Sequence, residues 1–233
     1  MKINGKCLIL AGRSVKGGVL FVALFVALST AWAFVASIAE AAQTAPPKVF
    51  QLKMQTLNMA VEPLHSIYAK KFVESVKKAS NGQIEIKLFA AGDIVPTFSM
   101  PDAVKEGTLD LIHCFGAWWG GKIGEIAELE TGAPASFEQG KEIDAYFEQG
   151  FADILREVYR KQGVHYIGHV SGGSATLFIK KSVSKAADLR GVKVLESGIE
   201  ARYFAALGAQ TVPMLPMGEV YTAMATGIVD AAD

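Results

Sequence analysis

The hydrophobic pattern is clearest between Asp188 and Asp233, where short apolar runs alternate with amphipathic stretches of helical period. It predicts strands at Val192 to Leu195, at Gln210 to Met214 and from Ile228, and helices at Ile199 to Leu207 and Gly218 to Thr226. Gly208 and Gly227 each follow a helical pattern, where a left-handed residue closes the last turn. This alternation predicts a mostly parallel sheet with helices on its faces. Ligands of such sheets bind beyond the carboxyl ends of the strands.

The preceding part of the chain shows the same mixture of periods. Strands are predicted at Val49 to Thr56, Ile84 to Leu88, Leu109 to Cys114, Val164 to Val170 and Thr176 to Lys180. Helices are predicted from Glu62-Pro63, at Pro101 to Glu106, and as one long amphipathic helix over Phe137 to Lys161, whose inward residues are Ile143, Phe147, Phe151, Ile154, Leu155 and Val158. Gly116 to Gly121 is predicted as a loop. The fold class is therefore α/β.

An internal echo indicates two lobes. The segment Ala103 to Asp110 is repeated at Ala223 to Asp230 as a helix end, a glycine and a strand start. Together with the flexible Ser171-Gly172-Gly173, the echo predicts a first lobe over residues 49–170. Residues 171–233 then form a lobe-crossing strand and a second lobe. Clefts between lobes are preferred sites for small molecules.

The amino-terminal residues have the pattern of an export signal. Four basic residues precede an apolar run from Gly17 to Ala39, and Ala39-Glu40-Ala41 ends it. We predict a signal peptide over residues 1–41, a mobile arm over 42–48 and a soluble exported product. The alternative is an uncleaved membrane anchor, since the run is long enough to span a bilayer.

Charge and motifs exclude several functions. The chain has 23 basic and 23 acidic residues, which gives no basic footprint for nucleic acid. The run Gly116-x4-Gly121-Lys122 resembles a phosphate loop but lacks the hydroxyl residue that holds Mg²⁺. His165 and His169 lie on a predicted strand, roughly 13 Å apart, too far to share a metal. His113 and Cys114 are adjacent on a strand and point to opposite faces. We therefore expect no enzymatic activity.

Trp118 and Trp119 are candidate ligand contacts. They lie in a glycine-flanked segment after a predicted strand, where a parallel sheet binds its ligand. An indole offers both an apolar wall and an N–H donor. A tryptophan in this position also commonly fills the core, and we expect at least one of the two to line the cleft.

The motifs "AAGDIVPTFSMPDAVKEGTLDLIH", "DLRGVKV", "ALGAQTVPM" and "GEVYTAMATGIVDAAD" identify a resemblance. In this order they resemble the DctP-type solute-binding proteins of tripartite ATP-independent periplasmic (TRAP) transporters, and most closely the branch that binds 2-oxo and 2-hydroxy monocarboxylates. The resemblance covers most of the chain from Val49 onward. It implies a periplasmic-binding-protein-like, type II-like fold of two lobes that close on a small organic acid and deliver it to the membrane subunits of the transporter.

The resemblance also implies site residues, and here the chain departs from the pattern. The family holds the solute carboxylate with an arginine in a G-x-K-x-R segment, and this chain has Leu195 at that place. Ser174 stands where the branch has a glutamine that contacts the solute. Asp233 stands where the branch has a metal-binding carboxylate, so it is a candidate ligand for Na⁺ or Ca²⁺ that bridges the solute; no cofactor is otherwise required.

Arg202 is a candidate replacement for the lost arginine. It lies in the first turn of the helix after Gly198, and helix amino termini favour anions; a solvated helix arginine is the alternative. Gly198 and, at the end of the first strand, Thr56 complete the candidate binding residues. The resembled family continues beyond Asp233, which implies that the second lobe over residues 171–233 is incomplete. A longer chain would be expected to form a homodimer. An exported enzyme acting on a small carboxylate and a membrane-anchored sensor are the alternative functions.

Overall fold

The computed structural model describes residues 48–131, 137, 140–170 and 176–232. The predicted signal peptide and all of the arm except Lys48 lie outside the described residues, as does the break predicted at Ser171-Gly172-Gly173. Within the described ranges, no helix has both the length and the apolar character needed to cross a membrane.

Sheet one contains three parallel strands in the order β2-β1-β3. The strands are β1 (Phe50–Thr56), β2 (Ile84–Phe89) and β3 (Leu111–His113). Met54 of the central strand lies opposite Leu88 on one side and Leu111 on the other. The predicted alternation is confirmed in β2, where Ile86 is buried and Lys87 is exposed. Ile86 and Met54 pack under Phe72 and Val76 of the first helix.

The helices of this part of the chain are mostly short. They are α1 (Lys70–Ala79), which continues a π-helical turn (Leu64–Ala69), α2 (Met100–Lys105), α3 (Gly120–Ile123), α4 (Gly140–Tyr146) and α5 (Ala152–Lys161). Two 3₁₀ helices flank α3: the Trp segment (Gly116–Trp119) and the acidic segment (Glu125–Thr131). The prediction of a loop at Gly116 to Gly121 was therefore wrong, because these residues form consecutive helical turns that bury Ala117 and Trp119.

The long helix predicted over Phe137 to Lys161 is interrupted. Residues Phe147–Phe151 form a π-helical turn, and Gly150 has φ +119°, a value that L side chains rarely adopt. This kink shifts the helical phase, so that α5 buries Leu155 and Tyr159. Ile154, predicted to point inward, is 51% exposed.

The strand predicted over Val164 to Val170 is absent. These residues follow α5 without a sheet partner, and their aromatic side chains pack on helices instead. Tyr166 stacks on Tyr159 with a centroid separation of 5.4 Å. The His169 ring lies 3.9 Å from the Phe147 ring, and its Nε2 is 3.0 Å from an Asp144 carboxylate oxygen.

Sheet two has the strand order β4-β7-β5-β6. Its elements are β4 (Phe178–Ile179), β5 (Lys193–Leu195), α6 (Gly198–Ala206), β6 (Gln210–Val212), α7 (Met217–Thr226) and β7 (Ala231–Ala232). β5 is parallel to β6 and β7, and β4 is antiparallel to β7. The predicted order of elements is confirmed, but the last strand begins at Ala231 rather than Ile228.

The internal echo is a repeated backbone arrangement, which we call the Gly–Asp turns. In the first turn, Gly107 has φ +75°, and Asp110 accepts the Lys53 N–H on Oδ2 (2.7 Å) while its own N–H donates to the Lys53 carbonyl (3.0 Å). In the second turn, Gly227 has φ +79°. Asp230 there makes the same pair of hydrogen bonds to Lys193, at 3.0 and 2.8 Å. Each turn thus ties a new strand to the first parallel strand of its sheet.

Candidate functional site

A cavity of about 440 Å³ lies between the Trp segment and the start of α6. One side is lined by Phe98, Ala117, Trp118 and Glu128. The other side is lined by Glu196, Ser197, Gly198, Pro213 and Met214, which follow the carboxyl ends of β5 and β6. None of the described lining residues is basic. The cavity therefore occupies the place where a parallel sheet presents its loops to a ligand.

The two tryptophans have different environments. Trp118 is half-buried, lines the cavity and packs against Phe98 and Phe115, with ring centroids 5.7 and 6.1 Å away. Trp119 is only 3% exposed, and its indole N–H donates to the Phe98 carbonyl at 3.1 Å. Trp119 belongs to a core cluster with Phe147, Phe151 and Tyr159. The structure thus places Trp118 at the cavity and Trp119 behind it, which is the consequence of their position on successive residues of a helical turn.

The opposite wall is the amino terminus of α6. Ser197 occupies the N-cap position in an extended conformation and makes no side-chain cap hydrogen bond. Gly198 has φ +55°, and a methyl group there would lie 3.1 Å from the Ala117 methyl and 3.3 Å from Glu128 Cβ. Glycine thus allows the start of α6 to approach the Trp segment closely, and the first-turn N–H groups of this helix lie at the cavity edge.

Arg202 forms ion pairs with the acidic segment. Its guanidinium lies 3.0 Å from Glu128 Oε2 and 3.4 Å from Glu125 Oε1, and its side chain is 59% exposed. Glu128 is only 14% exposed and lines the cavity, so Arg202 compensates a carboxylate of the wall. In this arrangement Arg202 is paired within the protein, next to the cavity rather than among its lining residues.

Leu195 and Thr56 lie away from the cavity. Leu195 is 1% exposed and packs with Ala223, Val229 and Ala232 in the core of sheet two. Thr56 is fully buried, and its hydroxyl bonds the Asn58 carbonyl at 3.0 Å and His65 Nδ1 at 2.7 Å. Leu195 was predicted to contact the ligand because it stands in place of the family arginine, and Thr56 because it ends the first strand. In the structure, helices and turns cover both strand ends.

Ser174 and Asp233 lie outside the described residues. A bridging cation was expected at Asp233, so we asked whether other side chains could hold one. Among the residues described, no group of three His, Cys, Asp or Glu side chains is arranged to hold a metal ion.

Sequence reasoning missed three carboxyl groups at or behind the cavity. Glu128 and Glu196 line it, and Glu196 is 8% exposed. Glu130 lies behind the Trp segment, where burial raises its pKa to about 7. The run Glu128-Leu129-Glu130 indicated that one of these carboxyl groups is buried. Residues two positions apart lie on opposite sides of a helix, so Glu128 and Glu130 cannot both lie on one solvated face.

This chain matches a protein-family model and is similar to curated relatives. Residues 57–233 match the family described as bacterial extracellular solute-binding protein, family 7 (DctP). The chain is 28% identical over 168 residues to a monocarboxylate 2-oxoacid-binding periplasmic protein of Nostoc sp., covering 72% of this chain and 46% of that protein. It is 25% identical over 170 residues to the 2,3-diketo-L-gulonate-binding periplasmic protein of Escherichia coli, covering 72% and 51%. The chain spans about half the length of these curated relatives.

Solved structures share the fold. A TRAP periplasmic solute-binding protein of Rhodobacter sphaeroides, in an apo open structure, has 29% identity and a TM-score of 0.56, covering 79% of this chain and 58% of that one. One from Pseudoalteromonas atlantica, with bound sodium and pyruvate, has 24% identity and a TM-score of 0.72 (79% and 56%). A mixed-occupancy dimer from Bordetella bronchiseptica, with calcium and picolinate, has 25% identity and a TM-score of 0.62 (80% and 55%).

These relatives are solute-binding receptors, and their mixed α/β architecture is the one described above. The resemblance seen in the sequence motifs is confirmed by the family match, which extends over most of the chain. The chain belongs to the DctP family of bacterial extracellular solute-binding proteins.

Proposed function

We propose that this chain captures a small organic acid of the 2-oxo or 2-hydroxy monocarboxylate class and delivers it to the membrane subunits of a TRAP-type transporter. The observation that carries the proposal is the cavity of about 440 Å³ between Trp118 and the start of α6. Its volume falls in the lower part of the range for small-molecule sites. The name of the Nostoc relative, a monocarboxylate 2-oxoacid-binding protein, supports this ligand class.

The amino terminus of α6 is the part of the cavity suited to a carboxylate. The first-turn N–H groups of a helix carry a partial positive charge and point toward an anion placed there. Ser197 does not cap them with its side chain. The carboxylate of the acid would bind at Ser197 and Gly198, and its apolar part would contact the face of Trp118.

Two carboxyl groups on the wall, those of Glu128 and Glu196, limit this arrangement. Glu128 lines the cavity, but Arg202 lies 3.0 Å from it and compensates its charge. In the proposed function Arg202 therefore lowers the repulsion between Glu128 and an anionic ligand, rather than gripping the ligand itself. A cation bound with the acid, as in the sodium and calcium complexes of two relatives, would also lower the repulsion between the wall carboxylates and the ligand. Asp233 and Ser174 stay predictions as contacts.

Export is part of the proposal. Removal of residues 1–41 would release the protein into the periplasm, and the extracellular family description together with the periplasmic names of the relatives supports this. Amino-terminal sequencing of the exported protein tests it. An intact leader on the exported chain would favour a membrane-anchored protein instead.

The ligand is tested by isothermal titration calorimetry of the full chain with pyruvate, lactate and picolinate. We expect Trp118→Ala to weaken binding by about tenfold or more, since loss of one aromatic wall costs about 1.4 kcal/mol or more. Arg202→Ala should weaken binding several-fold, because Glu128 is then uncompensated. Tyr221→Ala, which removes an aromatic side chain that is 84% exposed, is the matched control. Failure of all three acids to bind, or wild-type affinity in Trp118→Ala, would contradict the proposal.

A further inference from the structure

A buried carboxyl group stands behind the wall of the cavity. Glu130 Oε2 accepts the backbone N–H of Gly116 at 3.2 Å and is hydrogen-bonded by the Tyr159 hydroxyl. Its other oxygen, Oε1, is buried and has no hydrogen-bond partner among the described residues. Gly116 is the first residue of the Trp segment, two positions before Trp118. One hydrogen bond therefore connects this carboxyl to the segment that lines the cavity.

The packing around Gly116 leaves no free space. A methyl group on Gly116 would lie 2.5 Å from both Glu130 Oε2 and the Tyr159 hydroxyl, closer than real Cβ contacts. The backbone of the Trp segment thus rests directly on the carboxyl and the phenol. Because close-packed interiors transmit displacements, a movement of Glu130 must be followed by the Trp segment.

The groups that face Glu130 carry no compensating charge. Three other titratable groups interact with Glu130: Tyr159 of α5, Tyr166 of the segment after it, and Cys114, which follows β3. Burial raises the pKa of each of them, so all three are neutral at pH 7. The Arg156 cation acts on Tyr166, where it opposes the effect of burial on the pKa. Within the part of the chain that the structure describes, an ionised Glu130 is therefore a buried charge with two hydrogen bonds and no ion-pair partner, which is an unfavourable state.

We propose that Glu130 is a positioning residue for the cavity wall, which holds the Trp segment in place while its unpartnered oxygen carries a proton. When that proton leaves to solvent, the uncompensated carboxylate draws water into the cluster. Gly116 and Trp118 then shift from the positions seen here. The arrangement makes the cavity wall responsive to the protonation of a single carboxyl group.

The effect of Glu130 protonation on ligand binding rests on the proposed function. Burial raises the pKa of Glu130 to about 7, so both protonation states are populated near neutral pH. An anionic ligand at the cavity favours the neutral carboxyl, because a second negative charge behind the wall repels it. Ligand affinity should therefore fall as pH rises through about 7, and ligand binding should be accompanied by proton uptake.

The first test needs no ligand. Tryptophan fluorescence of the full chain is followed from about pH 5 to about pH 9. We expect a transition with a midpoint at about 7, as water reaches the Trp segment. Glu130→Gln should lack it, because the amide oxygen can still accept both hydrogen bonds but the side chain cannot ionise. Tyr159→Phe should raise the midpoint, because the lost hydrogen bond favoured the charged form.

Controls separate this transition from other titrations. Histidines ordinarily titrate in the same range, so the readout is the difference between variants. Glu125→Gln, in the same acidic segment with a side chain that is 81% exposed, should keep the wild-type midpoint. Circular dichroism at each pH shows that the variants are folded. A transition that persists unchanged in Glu130→Gln would overturn the proposal.

The second test uses pyruvate as the probe. We expect the full chain to bind it about fivefold or more weakly at pH 8 than at pH 6, and the Glu130→Gln variant to show little difference. Equal pH dependence in both proteins would contradict a role of Glu130 in binding. If pyruvate does not bind at either pH, the proposed ligand class fails, while the fluorescence experiment still decides whether Glu130 positions the wall.

Discussion

The two Gly–Asp turns have the same backbone arrangement in different surroundings. In both, a left-handed glycine ends a helix, a buried apolar residue follows, and an aspartate bonds a lysine of the neighbouring strand. The first lies beside α2, in which Met100, Pro101 and Ala103 are buried. The second follows α7, in which Ala223 is the buried residue. The comparison teaches that the local sequence specifies the turn, whereas the burial of the turn depends on which side chains from the rest of the chain pack against it.

The largest effect is expected at the apolar residue of each turn. Leu109 is 1% exposed and Val229 is fully buried. Leu109→Ala should lower the free energy of unfolding by about 3 kcal/mol, and Val229→Ala by about 2 kcal/mol, because three and two carbons are removed from closed packing. Urea unfolding of the full chain measures both. If Val229→Ala costs nothing, the core of sheet two contributes less than the shared geometry indicates.

A smaller effect is expected at the aspartates. Asp110→Ala removes an acceptor from an exposed hydrogen bond, and water can replace it, so we expect a cost of about 0.5 kcal/mol. Asp230→Ala leaves the N–H of Lys193 in a partly buried position and should cost about 1.5 kcal/mol. Asparagine at either position retains an acceptor and is the control. Equal costs for the two alanine variants would show that burial does not distinguish the turns.

The smallest difference is expected at the glycines. Gly107 and Gly227 have φ +75° and +79°, and an added methyl group would meet nothing within 4 Å at Gly107 and only Lys180 Nζ at 3.9 Å at Gly227. Alanine should therefore cost about 1 kcal/mol at each, from backbone strain alone. Thermal unfolding of the two variants compares them. A difference well above the experimental error would mean that the surroundings, and not φ, determine the cost.

Features that depend on local sequence were predictable. The order of strands and helices in sheet two, the glycines that end helices, and the repeated turn were all read from residue type and spacing. They are local because a turn such as Ala223 to Asp230 is specified by its own residues. The cavity edge at Gly198 was also predicted, since it follows a strand of a parallel sheet.

Features that depend on distant packing were not predictable. The pattern of residues 164–170 favours a strand, but a strand needs a neighbouring edge, and here Tyr166 and His169 find aromatic partners on helices instead. Trp118 and Trp119 are adjacent and alike in sequence. Only the 3₁₀ conformation of their segment turns Trp119 into the core and Trp118 toward the cavity. The carboxyl cluster at Glu130 depends on Tyr159, which is far along the chain.

The strand order of sheet two has a consequence for how the polypeptide folds. β7 lies between β4 and β5, yet its residues, Ala231 and Ala232, come last among the described strands of that sheet. During synthesis, β4 has no partner until these two residues have left the ribosome, while sheet one can already pair all three of its strands. The described strands of sheet two therefore become able to pair later in synthesis than those of sheet one, so that sheet one can form before sheet two.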